Sequence, residues 1–230
     1  MCGRYRLTRH REVVEEHFGV AIEGDFSPRY NIAPTQLVAT VRQRSDRPER
    51  SFAWMKWGLI PYWAKDASMG ARTINARAET AADLPAFREA LRKRRCLVPA
   101  DGFYEWQKIG KSKQPLCFTM ADDSVFGFAG LWERWKDAEG KLVETCSILT
   151  TTPNRLLEDV HDRMPVILRP EDYDVWLDPG EQRPESLREL LKPFDSERMK
   201  RYPVSTRVNN VKFDDPDCAA PSQPMGLFAG

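Results

Sequence analysis

The sequence of 230 residues is poor in histidine and lacks the cysteine patterns that bind metals or build disulfide frameworks. It has only three histidines, so histidine-based chemistry has few candidates. Its five cysteines are odd in number and include no Cys-x-x-Cys pair, which is not typical of a zinc site or of a disulfide scaffold. We therefore expect no metal and no cofactor.

Long apolar runs and nucleotide-binding motifs are missing too. No stretch approaches the roughly 20 apolar residues of a membrane helix, and Arg4, Arg6 and Arg9 interrupt any signal-peptide core. We expect a cytoplasmic protein without membrane contact. The net charge of +1 gives no general case for nucleic-acid binding. P-loop, GxSxG, HExxH and GxGxxG motifs are also lacking.

The first four residues carry the most distinctive chemistry. If Met1 is removed, Cys2 becomes the first residue and presents an α-amine beside its own thiol. Such an aminothiol can condense with an aldehyde to an imine and then close to a thiazolidine. Gly3 would let a ligand approach the backbone closely, and Arg4 could bind an anion beside the nucleophile. From its position alone, Cys2 fits an ordinary frayed terminus more often than a functional site.

Apolar runs with alternating polarity predict more strands than helices. The expected strands are 1–7, 36–42, 52–57, 103–106, 114–120, 125–135, 144–151, 165–168 and 200–206. Many strands without βαβ alternation indicate an α+β protein built on a curved, mostly antiparallel β-sheet or barrel-like core, with a few peripheral helices.

Four helices and the irregular segments complete this prediction. We expect helices over 9–18, with Thr8 as the N-cap, over about 79–93, over 171–177 after Pro170, and over 186–193. Residues 24–34 should be a loop. We expect a single domain over 1–213 and an irregular tail over 214–230, where prolines are frequent.

Glu105 is a candidate acid or base because it lies between Tyr104 and Trp106. Aromatic neighbours should desolvate its carboxylate and raise its pKa toward a useful range. Strand alternation would direct Phe103 and Glu105 to one face, and Tyr104 and Trp106 to the other. A glutamate on a solvated face fits the local pattern equally well.

Asn75 and His161 are further polar candidates. Asn75 lies in an apolar run and could hold a hydroxyl or an oxyanion, although a buried asparagine bonded to backbone is as common. His161 suits proton transfer near neutral pH. We do not expect Asp162 to orient it, since adjacent strand residues point apart. Residues 57–63 form an aromatic loop that could cover a core or stack on bases.

Taken together, these segments resemble the SRAP family (SOS response-associated peptidase), the abasic-site processing proteins. The resemblance spans nearly the whole chain, and its segments follow the family's order. They are Met1-Cys2-Gly3-Arg4, Arg29-Tyr30-Asn31-Ile32-Ala33-Pro34, Trp57-Gly58-Leu59-Ile60-Pro61, Ile74-Asn75-Ala76-Arg77-Ala78-Glu79-Thr80, Arg95–Trp106, His161-Asp162-Arg163-Met164-Pro165-Val166, Pro203-Val204-Ser205 and Val208-Asn209-Asn210.

The resemblance implies a covalent link to abasic sites in single-stranded DNA, formed by Cys2 after loss of Met1. Asn75 would position the opened sugar, and Glu105 would transfer protons during ring opening and imine formation. His161 would protonate or stabilise the sugar oxygen and serve reversal. Weak lyase activity and self-removal of Met1 are implied too.

The resemblance also implies a DNA-contacting surface on a monomer that is nucleoid-associated when bound. The residues expected to contact DNA are Gly3, Arg4, Pro34, Trp63, Arg77, Trp106 and Arg163. Two other functions remain open on the sequence: an amidohydrolase or peptidase with an N-terminal nucleophile, and a non-catalytic module that binds single-stranded DNA.

Overall fold

Thirteen strands and three α-helices form the described part of the chain, residues 2–181 and 183–224, in the computed structural model. The strands are β1 (Tyr5–Leu7), β2 (Arg29–Ile32), β3 (Leu37–Arg44), β4 (Arg47–Trp57), β5 (Asn75–Arg77), β6 (Arg95–Ala100), β7 (Gly102–Ile109), β8 (Ser112–Met120), β9 (Phe126–Lys136), β10 (Leu142–Thr151), β11 (Met164–Pro165), β12 (Ile167–Leu168) and β13 (Met199–Pro203).

The helices are short and lie outside the sheets. The α-helices are α1 (Arg11–Phe18), α2 (Arg88–Lys93) and α3 (Tyr173–Leu177). The 3-10 helices span Ala67–Arg72, Pro170–Asp172, Pro184–Leu191, Ser196–Arg198, Thr206–Asn209 and Pro216–Cys218. Within the described ranges, no helix is long and apolar enough to cross a membrane.

Five strands close into a barrel in the order β10, β4, β3, β6, β9 and back to β10. The pairing is antiparallel except between β10 and β4, and β5 adds to β10 in parallel. Closure leaves these five strands without a free edge. The structure confirms the predicted α+β class with a curved, mostly antiparallel, barrel-like core.

A second sheet, ordered β13, β8, β7, β1, β2, packs one face on the barrel. The Tyr5 ring of β1 lies 5.4 Å from Trp57 of β4 and 5.8 Å from Phe128 of β9, measured between centroids. Phe103 of β7 is 6.0 Å from the same Phe128. The Tyr5 side chain of β1, the first strand of the chain, is therefore buried between this sheet and the barrel.

The other face of this sheet is covered by the C-terminal segment. Tyr104 and Cys117 pack there with Val204, Val208 and Cys218, all of them buried. The described part of the predicted tail, 214–224, contributes to this layer. Residues 225–230 lie outside the described residues.

Three local predictions were wrong. The stretch 79–93 is helical only from Arg88, because Pro85 removes a backbone donor and disfavours helix in the residue before it. Thr8 does not cap α1: its hydroxyl and its backbone N–H bond the Asp101 carboxylate, and His10 takes the N-cap position. The expected loop 24–34 contains β2, which pairs with β1.

Candidate functional site

Cys2 and Glu105 are brought together by the pairing of β1 with β7. Tyr5 lies opposite Phe103, and the Tyr104 N–H donates to the Arg4 carbonyl at 2.9 Å. If this antiparallel register continues for two residues, from Tyr5 back to Gly3 and from Phe103 on to Glu105, Gly3 lies opposite Glu105. Cys2 is fully buried, and Glu105 is only 4 % exposed.

Burial sets the protonation of both groups. It raises the pKa of the Cys2 thiol far above its ordinary value, and the nearby charge of Glu105 raises it further. Burial also raises the pKa of Glu105 to about 7, with a further contribution from the charge of Asp162. The thiol is thus neutral at pH 7, whereas the carboxyl can gain or lose a proton. The expected rise in the pKa of Glu105 is confirmed. The alternative, a glutamate on a solvated face of the strand, is wrong because Glu105 is buried.

His161 lies in a bend just before β11, where two groups compete for its Nδ1 atom. The Arg163 backbone nitrogen is 3.0 Å from Nδ1, and Asp162 Oδ1 is 2.9 Å from it. Our expectation that Asp162 would point away was wrong, because residues 161–163 form a bend rather than a strand. Burial lowers the pKa of His161, and Asp162 partly opposes that shift.

Arg163 is held by a carboxylate rather than exposed to solvent. Its guanidinium donates to both oxygens of Glu79 at 2.9 and 2.8 Å, and to the Thr150 carbonyl at 2.6 Å. Its side chain is only 11 % exposed. A phosphate could reach this guanidinium only by displacing Glu79.

Asn75 begins β5 and lies opposite Ile148 of β10. Its Nδ2 donates to the Ile148 carbonyl at 3.3 Å. Its Oδ1 is buried and has no hydrogen-bond partner among the described residues. The Asn75 oxygen is therefore available to a ligand hydroxyl, as a positioning role would require.

Arg4 is anchored on the sheet side of the site. Its guanidinium donates to Asn31 Oδ1 at 2.7 Å and to the Val208 carbonyl, and it lies 5.8 Å from the centre of the Trp106 ring. Trp106 in turn donates to Asn209 Oδ1 at 2.7 Å. This network fixes Arg4 two residues from Cys2.

The other residues expected to contact DNA are more scattered. Gly3 and Pro34 are half-buried, and Arg77 is exposed on β5. Trp63 is 47 % exposed, and the Ala64 carbonyl beside it accepts from Trp135 of β9.

Trp63 is remote from the Arg163 end of β10. Trp135 pairs with Val143, and the Arg163 guanidinium bonds Thr150, seven residues further along the strand. At about 3.3 Å per residue these points are roughly 20 Å apart. The structure therefore does not bring Trp63 to His161 and Arg163.

Two features were missed at the sequence level: the Glu79 pair with Arg163, and the buried Asn31 that binds Arg4. Glu79 and Asn31 bond partners far away in sequence, so no local pattern could reveal them. No group of three or more His, Cys, Asp or Glu side chains that could hold a metal ion was found in 2–181 and 183–224.

Fold and site together define a small β-barrel protein with a buried cysteine and a buried glutamate near its first strand. The chain belongs to the SRAP family: the family model described as SOS response associated peptidase matches residues 1–211.

Curated relatives and a solved structure agree with this membership. The chain is 43% identical over 221 residues to the abasic site processing protein YoqW of Bacillus subtilis, covering 94% of this chain and 98% of that one. It is 32% identical to the abasic site processing protein HMCES of Gallus gallus, covering 86% of this chain and 68% of that one. A crystal structure of a Bacteroides thetaiotaomicron protein superimposes with a TM-score of 0.87 at 29% identity, covering 96% of this chain and all of that one.

Proposed function

We propose that this protein captures abasic sites in single-stranded DNA through a thiazolidine between Cys2 and C1′ of the opened deoxyribose. The observation that carries this proposal is the placement of Cys2 beside Glu105, both buried between the barrel and the second sheet. The names of the relatives, which are abasic site processing proteins, support the same substrate.

The chemistry needs no oxidant or reductant. The α-amine of Cys2 adds to the aldehyde carbon C1′, and the adduct loses its hydroxyl as water to form an imine. The sulfur then bonds C1′, its proton passes to the Glu105 carboxylate, and the former imine nitrogen takes up a proton. One water is released in total. The amine belongs to Cys2 only after removal of Met1, which lies outside the described residues.

Protonation states favour the amine as the first nucleophile. The thiol is neutral because burial raises its pKa, whereas an ordinary α-amine has a pKa of about 8 and is partly free at neutral pH. Glu105, with a pKa of about 7, exists in both forms there. It can therefore give a proton to the leaving hydroxyl and accept the one from the thiol.

The neighbouring residues would hold the sugar. Asn75 Oδ1 would accept a hydrogen bond from a sugar hydroxyl, and His161 would protonate the ring oxygen as the ring opens. Arg4 and Arg77 would face phosphates, Arg163 would do so only if a phosphate displaced Glu79, and Gly3, Pro34, Trp63 and Trp106 would contact the bases or the backbone. Weak lyase and self-processing activity belong to the same proposal, as do a single domain over 1–213, a monomer, and a cytoplasmic location with nucleoid association.

Incubation with a single-stranded oligonucleotide carrying one abasic site, followed by a denaturing gel, tests this function. The wild type should form an adduct that survives denaturation, and Cys2→Ala should bind the DNA without forming it. Cys2→Ser should give at most a slow, weak link, because a hydroxyl closes the ring poorly. Cys218→Ala, which alters another buried cysteine, is the matched control and should behave as wild type.

Two results would contradict the proposal. An adduct formed by Cys2→Ala would exclude Cys2 as the nucleophile. Binding by the wild type without any adduct would favour the non-catalytic module instead.

A further inference from the structure

Glu79 and Arg163 join two segments that are distant in sequence. Glu79 follows β5 by two residues, and Arg163 precedes β11 by one. Both guanidinium Nη atoms donate to the Glu79 carboxylate, and one of them also donates to the Thr150 carbonyl of β10. A bidentate arginine–carboxylate pair fixes orientation as well as distance. The Arg163 side chain therefore secures the bend 161–163 against β5 and β10.

The backbone of the same arginine contacts the histidine ring. The Arg163 N–H points to His161 Nδ1 at 3.0 Å. Residues 161–163 lie outside the strands, between the His161 N–H, which donates to the Leu157 carbonyl at 2.9 Å, and Met164, which pairs with Thr151 of β10. Within this short segment the anchored side chain helps to set the place of the Arg163 N–H.

The contact also selects a tautomer. Accepting from the Arg163 N–H requires an unprotonated Nδ1, which leaves the hydrogen of a neutral imidazole on Nε2. Asp162 Oδ1, 2.9 Å from the same Nδ1, would instead favour a hydrogen on Nδ1. The position of the Arg163 backbone thus decides whether Nε2 is a hydrogen-bond donor.

On the basis of the proposed function, we infer that Glu79 is a positioning residue. It holds Arg163 so that the Arg163 backbone directs the Nε2–H of His161 toward the sugar oxygen. Glu79 itself need not touch the DNA.

A competing role for Glu79 predicts different kinetics. If Glu79 merely occupied Arg163 until a phosphate displaced it, removing the carboxylate would tighten DNA binding. If Glu79 positions His161, removing it lowers the rate of the covalent step and leaves DNA binding almost unchanged.

Single-turnover kinetics of adduct formation over a range of abasic-DNA concentrations separates these roles. Glu79→Ala should lower the maximal rate constant by about tenfold, as expected for a slightly misplaced proton donor, with the half-saturating DNA concentration unchanged within about twofold. Glu79→Gln, whose amide oxygen can still accept from Arg163, should recover most of the rate. Asp172→Ala removes a similar two-bond pair, with Arg169, and should change neither constant.

A double-mutant cycle with His161→Ala completes the test. In that background Glu79→Ala should cause no further loss, because there is no ring left to position. An equal loss in both backgrounds, tighter binding by Glu79→Ala, or an unchanged rate would overturn the inference. A wild type that forms no adduct would instead refute the proposed function itself.

Discussion

Glu105 shows how the barrel-facing side of a strand can hold an ionisable group. Its strand neighbour on that face, Phe103, packs in the main core, whereas Tyr104 and Trp106 contribute to the cluster on the opposite face. The alternation was predictable from the sequence, and so was the raised pKa. The electrostatic interaction between Glu105 and Cys2 could not be predicted, because it depends on the register between β1 and β7.

The raised pKa makes the stability of the protein depend on pH. Between its ordinary value of 4.5 and about 7, the folded state holds a proton on Glu105 that the unfolded chain has lost. The contribution of Glu105 to the free energy of unfolding is therefore fully present below pH 4.5 and is lost as the pH rises through about 7. A pKa shift of this size corresponds to about 3 kcal/mol in the free energy of unfolding.

Glu105→Gln should therefore gain stability relative to the wild type as the pH rises. Its free energy of unfolding minus that of the wild type should increase by about 3 kcal/mol across this range, because glutamine does not titrate. Urea unfolding of both proteins at a series of pH values measures this difference. A difference that does not vary with pH would contradict the buried, shifted carboxyl. The same variant should form the adduct more slowly, since the proton acceptor is lost.

Among the elements, the loop after β4 depends on two glycines that almost touch. Gly58 has a φ of +132°, and a Cβ built on it would lie 2.5 Å from the Gly70 carbonyl oxygen. A Cβ on Gly70 would lie 2.9 Å from the Gly58 carbonyl oxygen. Because Gly70 belongs to the 3-10 helix Ala67–Arg72, this close approach holds the start of the loop that contains Trp63 against that helix.

Gly58→Ala should be clearly more destabilising than Gly24→Ala. Gly24 also has a positive φ, +83°, but a Cβ added there would meet no atom within 4 Å, so only conformational strain of about 1 kcal/mol is expected. At Gly58 the clash with the Gly70 backbone adds to the strain, and the free energy of unfolding should fall by about 3 kcal/mol. Chemical denaturation of the two variants measures both losses. Equal losses would show that the contact with Gly70 is unimportant.

The strands were more predictable than the helices for physical reasons. Strand prediction used short apolar runs bounded by turn residues, and β3, β8, β9 and β10 are indeed buried along most of their length. The helix expected over 79–93 relied on the spacing of its apolar residues, but Pro85 interrupts its hydrogen bonding. The N-cap expected at Thr8 is absent because the Thr8 hydroxyl donates to Asp101, which lies between β6 and β7. Local patterns cannot show such long-range competition.

For the whole molecule, the layering explains why the site lies at the amino terminus. β1 is covered by the barrel on one face of its sheet and by residues 204–219 on the other. Arg4 is tied to the outer layer through Asn31 and Val208, and Cys2 lies toward Glu105. The candidate groups come from the segment before β1, from β5 and β7, and from the bend 161–163. The residue types were visible in the sequence, but the placement of Cys2 near Glu105 depends on the fold.

The most direct test of the whole account is the intact mass of the protein after mixing with abasic single-stranded DNA. We predict a covalent species whose mass equals the chain without Met1 plus the oligonucleotide, less one water, because imine formation releases water and ring closure releases nothing. A covalent species that retains Met1, or a protein without Met1 that leaves the abasic DNA unmodified, would contradict capture by the Cys2 amine and thiol.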